Sequence, residues 1–417
     1  MDGSQWQFVP VFSVLHDEKK VASVIEAYHR AAEKALGQSI PAVAREKAGE
    51  GLALFLVVTG GTENLLLEVA GQRDEPVILL AHPEQNSLPA SLEILARLRQ
   101  LGRAGQVIYF SSPDDKDAQN RLSQVASAAL AYRRMHAARL GLIGRPSDWL
   151  AASTPDPALV TKVWGPTVVP ISMDEVLEEM QAAANDPQAR LQVGEMRQEF
   201  LGRAVRVVEP TEPDVDKAVT VYLALRRVVE RHQLDALSIR CFDLVIRART
   251  SGCYALSRLL DEDLVAGCEG DLPATLTMML LSYMSGQPSF LANPARVDTA
   301  ANSILLAHCT IARRLVEKYT VRSHFESGLG VGISGELRKA PVTVARIGGS
   351  DLRQVFVGRG EIVATGAQEN LCRTQVTIKM DEPVEYFLKR PLGNHHVITY
   401  GDYREAVRAY QEMLPAT

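Results

Sequence analysis

Carboxylates and imidazoles that suit metal binding and proton transfer recur in the second half of the sequence. Cys268-Glu269-Gly270-Asp271 places two acidic side chains directly before the apolar run Leu272–Met284. His308 ends a later apolar segment, and Gly393-Asn394-His395-His396 adds two imidazoles. Glutamate and histidine together suit a divalent ion such as Mn²⁺. These ligands are too dispersed to form a short metal motif, so the prediction of a metal site depends on the fold.

Each of these residues also has a purely structural explanation. Asp271 opens a predicted helix, where a capping aspartate is common. Glu269 lies before that cap, so capping explains it less well. His308 falls in an apolar strand, where a lone histidine is usually a satisfied core group. Of His395 and His396 only one can face a site, because adjacent strand residues point to opposite sides.

Polar residues outside these motifs are candidates for holding a substrate. His324 and Glu326 are two positions apart in a predicted strand and would share one face, either toward a substrate or as a polar pair on a solvated surface. Arg240 follows a predicted strand and is either an anchor for an oxyanion or part of a surface ion pair. Gly60-Gly61 lacks both nucleotide-binding glycine patterns and predicts only a turn.

Predicted strands and helices alternate over the first two thirds of the chain, and these elements have to position the candidate residues. Predicted strands are Val9–Val14, Leu52–Val58, Pro76–His82, Gln106–Ser111, Leu140–Ile143, Val163–Ile171 and Ala236–Phe242. Predicted helices are Glu18–Leu36, Pro89–Leu101, Lys116–Arg139, one starting at Asp174, Gln188–Gly202 and Asp214–Gln233. This alternation predicts parallel sheets covered by helices, and ligands favour the carboxyl edge of such sheets.

Short β-like segments separated by glycine turns replace this pattern after about residue 293. The segments are Ser303–His308, Thr320–Glu326, Gly330–Glu336, Val342–Ile347, Gln354–Val363, Arg373–Met380 and His395–Tyr400, followed by a helix, Tyr403–Leu414. Closely spaced strands predict an antiparallel sheet or barrel. We therefore expect an α/β protein with three domains: 1–157, an N-terminal α/β domain; 158–292, a central α/β domain carrying Glu269; and 293–417, a β-rich domain carrying His308 and His395.

The composition of the chain argues against several classes of function. The chain has 417 residues, and its net charge of −5 gives no basic field for nucleic acid. The N-terminal segment lacks a signal-peptide pattern, and no apolar run approaches the roughly 18–20 residues that span a bilayer. Five scattered cysteines without a C-x-x-C motif predict neither a disulfide framework nor a zinc ribbon, and they indicate a cytoplasmic protein.

The motifs together resemble the L-fucose isomerase and L-arabinose isomerase superfamily, especially its shorter fucose-isomerase-like members. The resemblance covers about 236–403 most strongly. It is carried by the order and spacing of Cys268-Glu269-Gly270-Asp271, Ser289-Phe290-Leu291-Ala292-Asn293, Leu306-Ala307-His308-Cys309-Thr310, His324-Phe325-Glu326-Ser327-Gly328 and Gly393-Asn394-His395-His396. The N-terminal third resembles the family more loosely, through Gln85-Asn86-Ser87-Leu88-Pro89-Ala90.

The resemblance implies two α/β sandwich domains and a β-rich domain in a Mn²⁺-dependent aldose–ketose isomerase. It also implies a homo-oligomer, usually a hexamer. By position, Glu269 matches the metal-binding catalytic glutamate, His395 the C-terminal metal histidine, and His308 a histidine ligand of the arabinose isomerase branch. The other predicted substrate contacts are Arg240, His324, Asn394, His396, Gln85 and Asn86.

One position departs from the family pattern. The family's second carboxylate falls on Asn293, whose amide oxygen can bind a metal but cannot act as a general base. The candidates for that role are Asp271, Asp298 and Glu326. Alternatively, the mechanism uses one base and water, or activity is lost.

The sequence therefore predicts a cytoplasmic isomerase that interconverts an open-chain aldose and ketose through a cis-enediol. The ion is Mn²⁺, with Co²⁺ or Mg²⁺ as other possibilities, and the ligands are Glu269, Asn293, His308 and His395. Pentose, deoxyhexose, hexose and acid-substituted hexose all remain open as substrates. The alternatives are a metal-dependent epimerase or lyase of a modified sugar and a non-catalytic sugar-binding relative.

Overall fold

Two compact units make up the chain. The computed structural model describes residues 6–13, 15–71 and 73–414. The first unit comprises Met1–Arg134 and Glu405–Thr417, and the second comprises Met135–Arg404. None of the described helices combines the length and apolar character that crossing a membrane requires.

The first unit contains a four-stranded parallel sheet in the order β1-β2-β3-β4. Its strands are β1 (Trp6–Val11), β2 (Leu52–Val57), β3 (Val77–Ala81) and β4 (Gly105–Tyr109). Its helices are α1 (Glu18–Leu36), α2 (Glu63–Ala70), α3 (Ser87–Gln100), α4 (Lys116–Ala137) and the C-terminal α13 (Arg404–Met413). Every residue of β2 and β3 is buried, which explains why both read as continuous apolar runs rather than alternating ones.

A second parallel sheet, in the order β6-β5-β8-β9, opens the second unit. Its strands are β5 (Arg139–Ile143), β6 (Thr167–Ile171), β8 (Ala236–Ile239) and β9 (Val265–Cys268). The helices of this part are α5 (Pro157–Trp164), α6 (Met173–Asn185), α7 (Pro187–Arg203), α8 (Glu212–His232), α9 (Cys241–Ala248), α10 (Cys253–Asp261) and α11 (Leu272–Ser285).

A closed six-stranded antiparallel barrel follows, in the order β10-β11-β16-β15-β14-β17. Its strands are β10 (Phe290–Asp298), β11 (Ser303–His308), β14 (Pro341–Gly348), β15 (Gln354–Gly366), β16 (Thr374–Met380) and β17 (His396–Tyr400). A three-stranded sheet contains β7 (Arg206–Val207), β12 (Val316–Arg322) and β13 (Gly332–Leu337). The remaining short elements are α12 (Tyr386–Lys389) and the 3₁₀ turns Arg45–Lys47 and Arg313–Leu315.

This architecture confirms the predicted fold class of parallel α/β sheets followed by a β-rich barrel. The three predicted domain boundaries stay a prediction. The structure pairs β5 with β6 and β8, so this strand belongs to the second sheet although the predicted boundary at 157 places it in the first domain.

Several predicted strands were wrong in their bounds, among them the following three. Val163–Ile171 contains the end of α5, which begins with an Asp156 cap and a proline, and only then β6. Ala236–Phe242 ends as a strand at Ile239, because α9 starts at Cys241. Thr320–Glu326 ends as a strand at Arg322, so His324 and Glu326 lie in the following turn and do not share a strand face. The predicted end of the first strand, at residue 14, lies outside the described residues.

Candidate metal centre

The order in which strands are added to the second sheet reverses at β5, and the candidate site lies at that point. From β5 the chain adds β6 on one side and later β8 and β9 on the other. Open parallel sheets bind ligands in the crevice at the carboxyl ends of the strands where the order reverses. The loops that leave β5, β8 and β9 here carry Trp149, Arg240 and Glu269 respectively.

Glu269 sits in a tight connection between β9 and α11. Its φ of 64° and the φ of 71° at Gly270 are both in the left-handed region. A non-glycine residue held there carries strain that often marks a functional position. The backbone is fixed by hydrogen bonds from Ser147 N to Glu269 O (2.9 Å) and from Gly270 N to Ile239 O (3.1 Å). The carboxylate is thus held by a rigid turn at the sheet edge.

The barrel supplies two imidazoles to the same place. His308 is the last residue of β11 and His395 directly precedes β17. Both are buried, with their ring centroids 5.7 Å apart. His395 Nε2 lies 3.5 Å from Glu269 Oε1. Ligand atoms of Glu269, His308 and His395 all lie within 4.8 Å of one another.

Asp271 orients His395 from behind. Its Oδ2 lies 2.9 Å from His395 Nδ1 and 3.0 Å from Arg346 Nη1, and its Oδ1 accepts a hydrogen bond from Ala274 N at 2.8 Å. Arg346 also donates to Ser153 Oγ at 2.7 Å. A carboxylate bonded to the far nitrogen of a metal-binding histidine fixes the ring orientation and strengthens the ligand. Asp271 therefore has the contacts of a supporting residue and of a helix cap.

The charges of this cluster depend on one another. Burial disfavours the imidazolium form of His395, but the carboxylates of Asp271 and Glu269 outweigh it and raise its pKa to about 9. Burial likewise opposes ionisation of Asp271, yet Arg346 and His395 lower its pKa to about 2. The pKa of Glu269 is also lowered, because the interaction with His395 outweighs burial. Burial, followed by the charge of His395, lowers the pKa of His308 to about 3 and keeps it neutral.

The donor set fits a divalent cation. His395 Nε2 is buried and makes no hydrogen bond to any described residue, although it points at the ligand atoms of Glu269. A buried polar atom without a partner is costly, and a metal ion would satisfy it. One carboxylate and two imidazoles suit ions such as Mn²⁺, Fe²⁺, Co²⁺ or Zn²⁺.

A second carboxylate lies near the cluster in the turn after β12. Burial raises the pKa of Glu326, and the negative charge of Glu269 raises it further. The same turn carries His324, whose Nδ1 lies 2.9 Å from Ser327 Oγ, and it is closed by hydrogen bonds from Gly328 N to His324 O (2.9 Å) and from His324 N to Leu329 O (3.0 Å). Burial lowers the pKa of His324, while Glu269 partly offsets this. Glu326 is exposed and feels the charge of Glu269, so it stays a candidate for the base.

Three other predicted residues neighbour His395 in different ways. Asn394 is exposed and donates to Asn293 Oδ1 at 3.2 Å, which links β10 to the segment that precedes β17. His396 is buried against Phe356, Tyr386 and Phe387, with its Nε2 3.2 Å from Tyr386 OH. The structure thus brings His395 into the cluster and commits His396 to an aromatic core. The roles of Asn293 and Asn394 stay predictions.

Arg240 is occupied by protein partners. It donates to Pro146 O (2.6 Å), Asp148 Oδ2 (2.7 Å) and Asp243 Oδ1 (3.0 Å). This arrangement favours support of the loop after β5 over binding of a substrate anion. Gln85 and Asn86 belong to the first unit, where they are exposed and have φ values of 55° and 58°. Their part in substrate binding stays a prediction.

Sequence reasoning missed Trp149, which donates its indole N–H to Glu269 Oε2 at 2.5 Å. It also missed Arg346 and Ser153, which are both buried behind Asp271. Trp149 had a usable signal, because it follows the carboxyl end of a predicted parallel strand, where ligand-binding loops collect. Arg346 had none, since a single arginine in a β-like segment usually faces solvent.

Comparison with known proteins finds relatives that are named as isomerases of a sugar. The chain is 25% identical over 355 residues to a sulfoquinovose isomerase from Clostridium sp. (strain MSTE9), covering 82% of this chain and 77% of the relative. A sulfoquinovose isomerase from Alkalicoccus urumqiensis is 23% identical over 310 residues, covering 72% and 68%. One from Priestia aryabhattai is 21% identical over 326 residues, covering 73% and 69%. No protein-family model matches the chain.

The chain is thus similar to proteins that are named as sugar isomerases. The finding confirms the predicted resemblance to the L-fucose and L-arabinose isomerase superfamily. It supports the prediction of a sugar isomerase, whose substrate is a small molecule. Glu269, His308 and His395 form a possible metal site, which agrees with the prediction of a metal cofactor.

Proposed function

We propose that this protein is a divalent-metal-dependent aldose–ketose isomerase acting on an open-chain sugar. The observation that carries the proposal is the convergence of Glu269, His308 and His395 from a parallel sheet and a barrel onto one point. A buried nitrogen of His395 without a hydrogen bond to any described residue is directed at that point. A divalent ion held there would polarise the carbonyl and hydroxyl oxygens at C1 and C2 of an aldose.

Two carboxylates are assigned to the proton transfer between C2 and C1. Glu269 Oε1 faces His395, and Glu326 lies exposed in the neighbouring turn with a raised pKa. A general base is most effective when its pKa approaches the working pH, so we assign to Glu326 the role that Asn293 cannot fill. His324 would hold a substrate hydroxyl through Nε2, because its Nδ1 is already bonded to Ser327.

Sulfoquinovose is the first aldose to test. It is the sugar in the names of three relatives, whose aligned segments each span more than two thirds of this chain. Mn²⁺ as the ion and a homo-oligomeric assembly are further parts of the proposal, and they rest on the family resemblance. A cytoplasmic location is also proposed, and it rests on the scattered cysteines.

The decisive experiment is removal and return of the metal. Purified protein treated with EDTA and dialysed should lose ketose formation from sulfoquinovose and regain it when Mn²⁺ is restored. Glu269→Gln keeps the shape of the side chain but removes its charge, and it should lower kcat at least about 100-fold, the scale of a general base's contribution. Ketose formation that survives exhaustive chelation would overturn the metal-dependent mechanism.

The assay needs a panel of sugars and a folded control. Aldoses without an acidic group, tested beside sulfoquinovose, show whether the substituent matters. Glu336→Gln changes an exposed carboxylate paired with Lys318 and should leave kcat unchanged. A parent protein that forms no ketose from any aldose, yet exchanges deuterium at C2, would be an epimerase or lyase instead.

A further inference from the structure

Trp149 combines two properties that seldom occur together. Its side chain is 52% exposed, yet its indole N–H is bonded to the buried carboxylate of Glu269. The other two tryptophans, Trp6 and Trp164, are 4% and 0% exposed. A large aromatic side chain left half in solvent beside a candidate catalytic group is more economically explained by ligand contact than by packing.

The loop that carries Trp149 is held in place by hydrogen bonds at several points. Arg240 binds the carbonyl of Pro146 and the carboxylate of Asp148, as described above. Ser147 N donates to the backbone oxygen of Glu269 at 2.9 Å. The backbone directly before the indole is therefore held by hydrogen bonds from the side chain of Arg240 and to the backbone of Glu269.

The indole bond makes the two oxygens of Glu269 different. Oε2 accepts the N–H of Trp149 at 2.5 Å, while Oε1 lies toward His395 Nε2. A hydrogen bond to one carboxylate oxygen fixes the rotation of the group and presents the other oxygen to the cluster. Trp149 thus acts on the candidate metal centre through Glu269.

Aromatic rings extend from Trp149 toward the turn that carries Glu326. The rings of Trp149 and Phe242 meet edge to face at 4.8 Å and 81°, and those of Phe242 and His324 at 5.4 Å and 82°. These three rings, here called the aromatic wall, join the loop after β5, the first turn of α9 and the turn after β12. Edge-to-face pairs hold such rings in fixed orientations.

We propose that Trp149 is a positioning residue for Glu269 and that its exposed indole face forms the part of the aromatic wall against which the C–H groups of the sugar chain pack. This role rests on the proposed function, because it names the surface that binds the same sugar. Polar groups that fix orientation beside an apolar aromatic surface are the usual composition of a small-molecule site.

The positioning role is tested by Trp149→Phe, which keeps a ring and removes the N–H. Loss of a group that supports a metal ligand typically costs about 10- to 100-fold in metal affinity or activity. We expect Mn²⁺ alone, titrated by calorimetry, to bind Trp149→Phe with that loss, and kcat to fall by a similar factor while KM changes little. Parent-like Mn²⁺ affinity together with parent-like kcat would exclude the positioning role.

The wall role is tested by Trp149→Leu and by fluorescence. Leucine removes both the N–H and the ring, so KM for sulfoquinovose should rise in addition to the loss in kcat. Since a bound ligand covers most of the surface that it meets, sulfoquinovose with Mn²⁺ should lower acrylamide quenching of the parent by about twofold. The quenchable component should vanish in Trp149→Phe. Quenching that saturating sugar leaves unchanged would exclude the wall role.

Two controls separate these outcomes from other failures. Leu191→Ala trims another exposed apolar side chain, 71% exposed on α7, and should leave Mn²⁺ binding, kcat and quenching at parent values. If the parent forms no ketose from any aldose, the proposed function fails. The Mn²⁺ titration of Trp149→Phe still decides the positioning role in that case, because it requires no turnover.

Discussion

Asp271 and Arg346 form an ion pair in which neither side chain has exposed surface. Such a pair gains little net stability over apolar residues, because both charges lose their hydration. Its contacts suggest another reason for its presence. Asp271 also binds His395 Nδ1, so the buried pair fixes the direction in which the histidine presents Nε2. At this scale the site depends on a carboxylate whose two oxygens both have protein partners.

Replacing Asp271 by asparagine should therefore harm stability and metal binding together. The change keeps the side-chain shape but leaves the guanidinium of Arg346 buried without a counter-charge. We expect the free energy of unfolding to fall by about 3–5 kcal/mol. Mn²⁺ affinity should weaken by about 10- to 100-fold, because His395 loses its orienting partner. Urea denaturation and calorimetric Mn²⁺ titration measure the two effects.

Glu336→Gln is the matched control, because it removes the same kind of charge from an exposed pair with Lys318. It should cost no more than about 1 kcal/mol. If Asp271→Asn proves as mild as this control, the buried pair does not have the supporting role described here.

At the scale of elements, the connection between β9 and α11 leaves no room for a side chain at Gly270. Gly270 has a φ of 71°, and a Cβ there would meet Arg145 O at 2.8 Å and Pro146 Cα at 2.8 Å. Both neighbours are backbone atoms, which cannot move without displacing the loop after β5. Glycine is therefore required, since the turn of Glu269 and the loop of Trp149 can approach each other only without a side chain between them.

Gly270→Ala should push these two loops apart. The left-handed conformation alone costs about 1–2 kcal/mol for a residue with a Cβ, and the backbone clash adds to that. We expect a lower midpoint in thermal unfolding and a loss of kcat, because the indole no longer reaches Glu269. Differential scanning fluorimetry and the ketose assay are the measurements.

Gly194→Ala, in the same unit, should stabilise the protein rather than destabilise it. Gly194 lies within α7, and a Cβ there would meet nothing within 4 Å. Alanine should stabilise this helix by about 0.5–1 kcal/mol. Equal behaviour of the two glycine variants would contradict the close approach at Gly270.

At the scale of the whole molecule, the candidate ligands all belong to the second unit. Glu269 follows β9 of the parallel sheet, whereas His308 and His395 belong to the barrel. A bound ion would therefore connect two structural layers that are far apart in sequence. The first unit supplies none of the three residues, although Gln85 and Asn86 are predicted to bind substrate.

Mn²⁺ should consequently protect the second unit more than the first against hydrogen exchange. At a concentration about 100 times its Kd, an ion that binds only the folded state adds about 2.7 kcal/mol. We expect slower exchange in β9, β11 and β17, with little change in β2 and β3. Exchange mass spectrometry with and without Mn²⁺ measures this.

His308→Ala serves as the control, since it removes one ligand and should abolish the protection while the protein stays folded. Uniform protection of both units by Mn²⁺ in the parent would mean that the ion does not act at this cluster.

Local pattern determined much of the secondary structure. α1 and β11 occur at their predicted bounds. The helical pattern extends over all of α1, and an apolar run extends over β11. The errors occurred where two signals overlapped within a few residues. Ala236–Phe242 reads as one apolar run, but α9 begins at Cys241 and ends the strand early.

The sequence by itself determined the α/β-then-barrel architecture and the residue types of a metal site, because periodicity and side-chain chemistry are local properties. Only the tertiary structure decided which of those residues meet. It turned His395 toward Glu269 and His396 into an aromatic core, and it placed Asp271 and Arg346 behind the ligand. It also brought Trp149 to Glu269 across 120 positions. Such encounters depend on how a sheet edge and a barrel pack together, and no spacing along the chain encodes that packing.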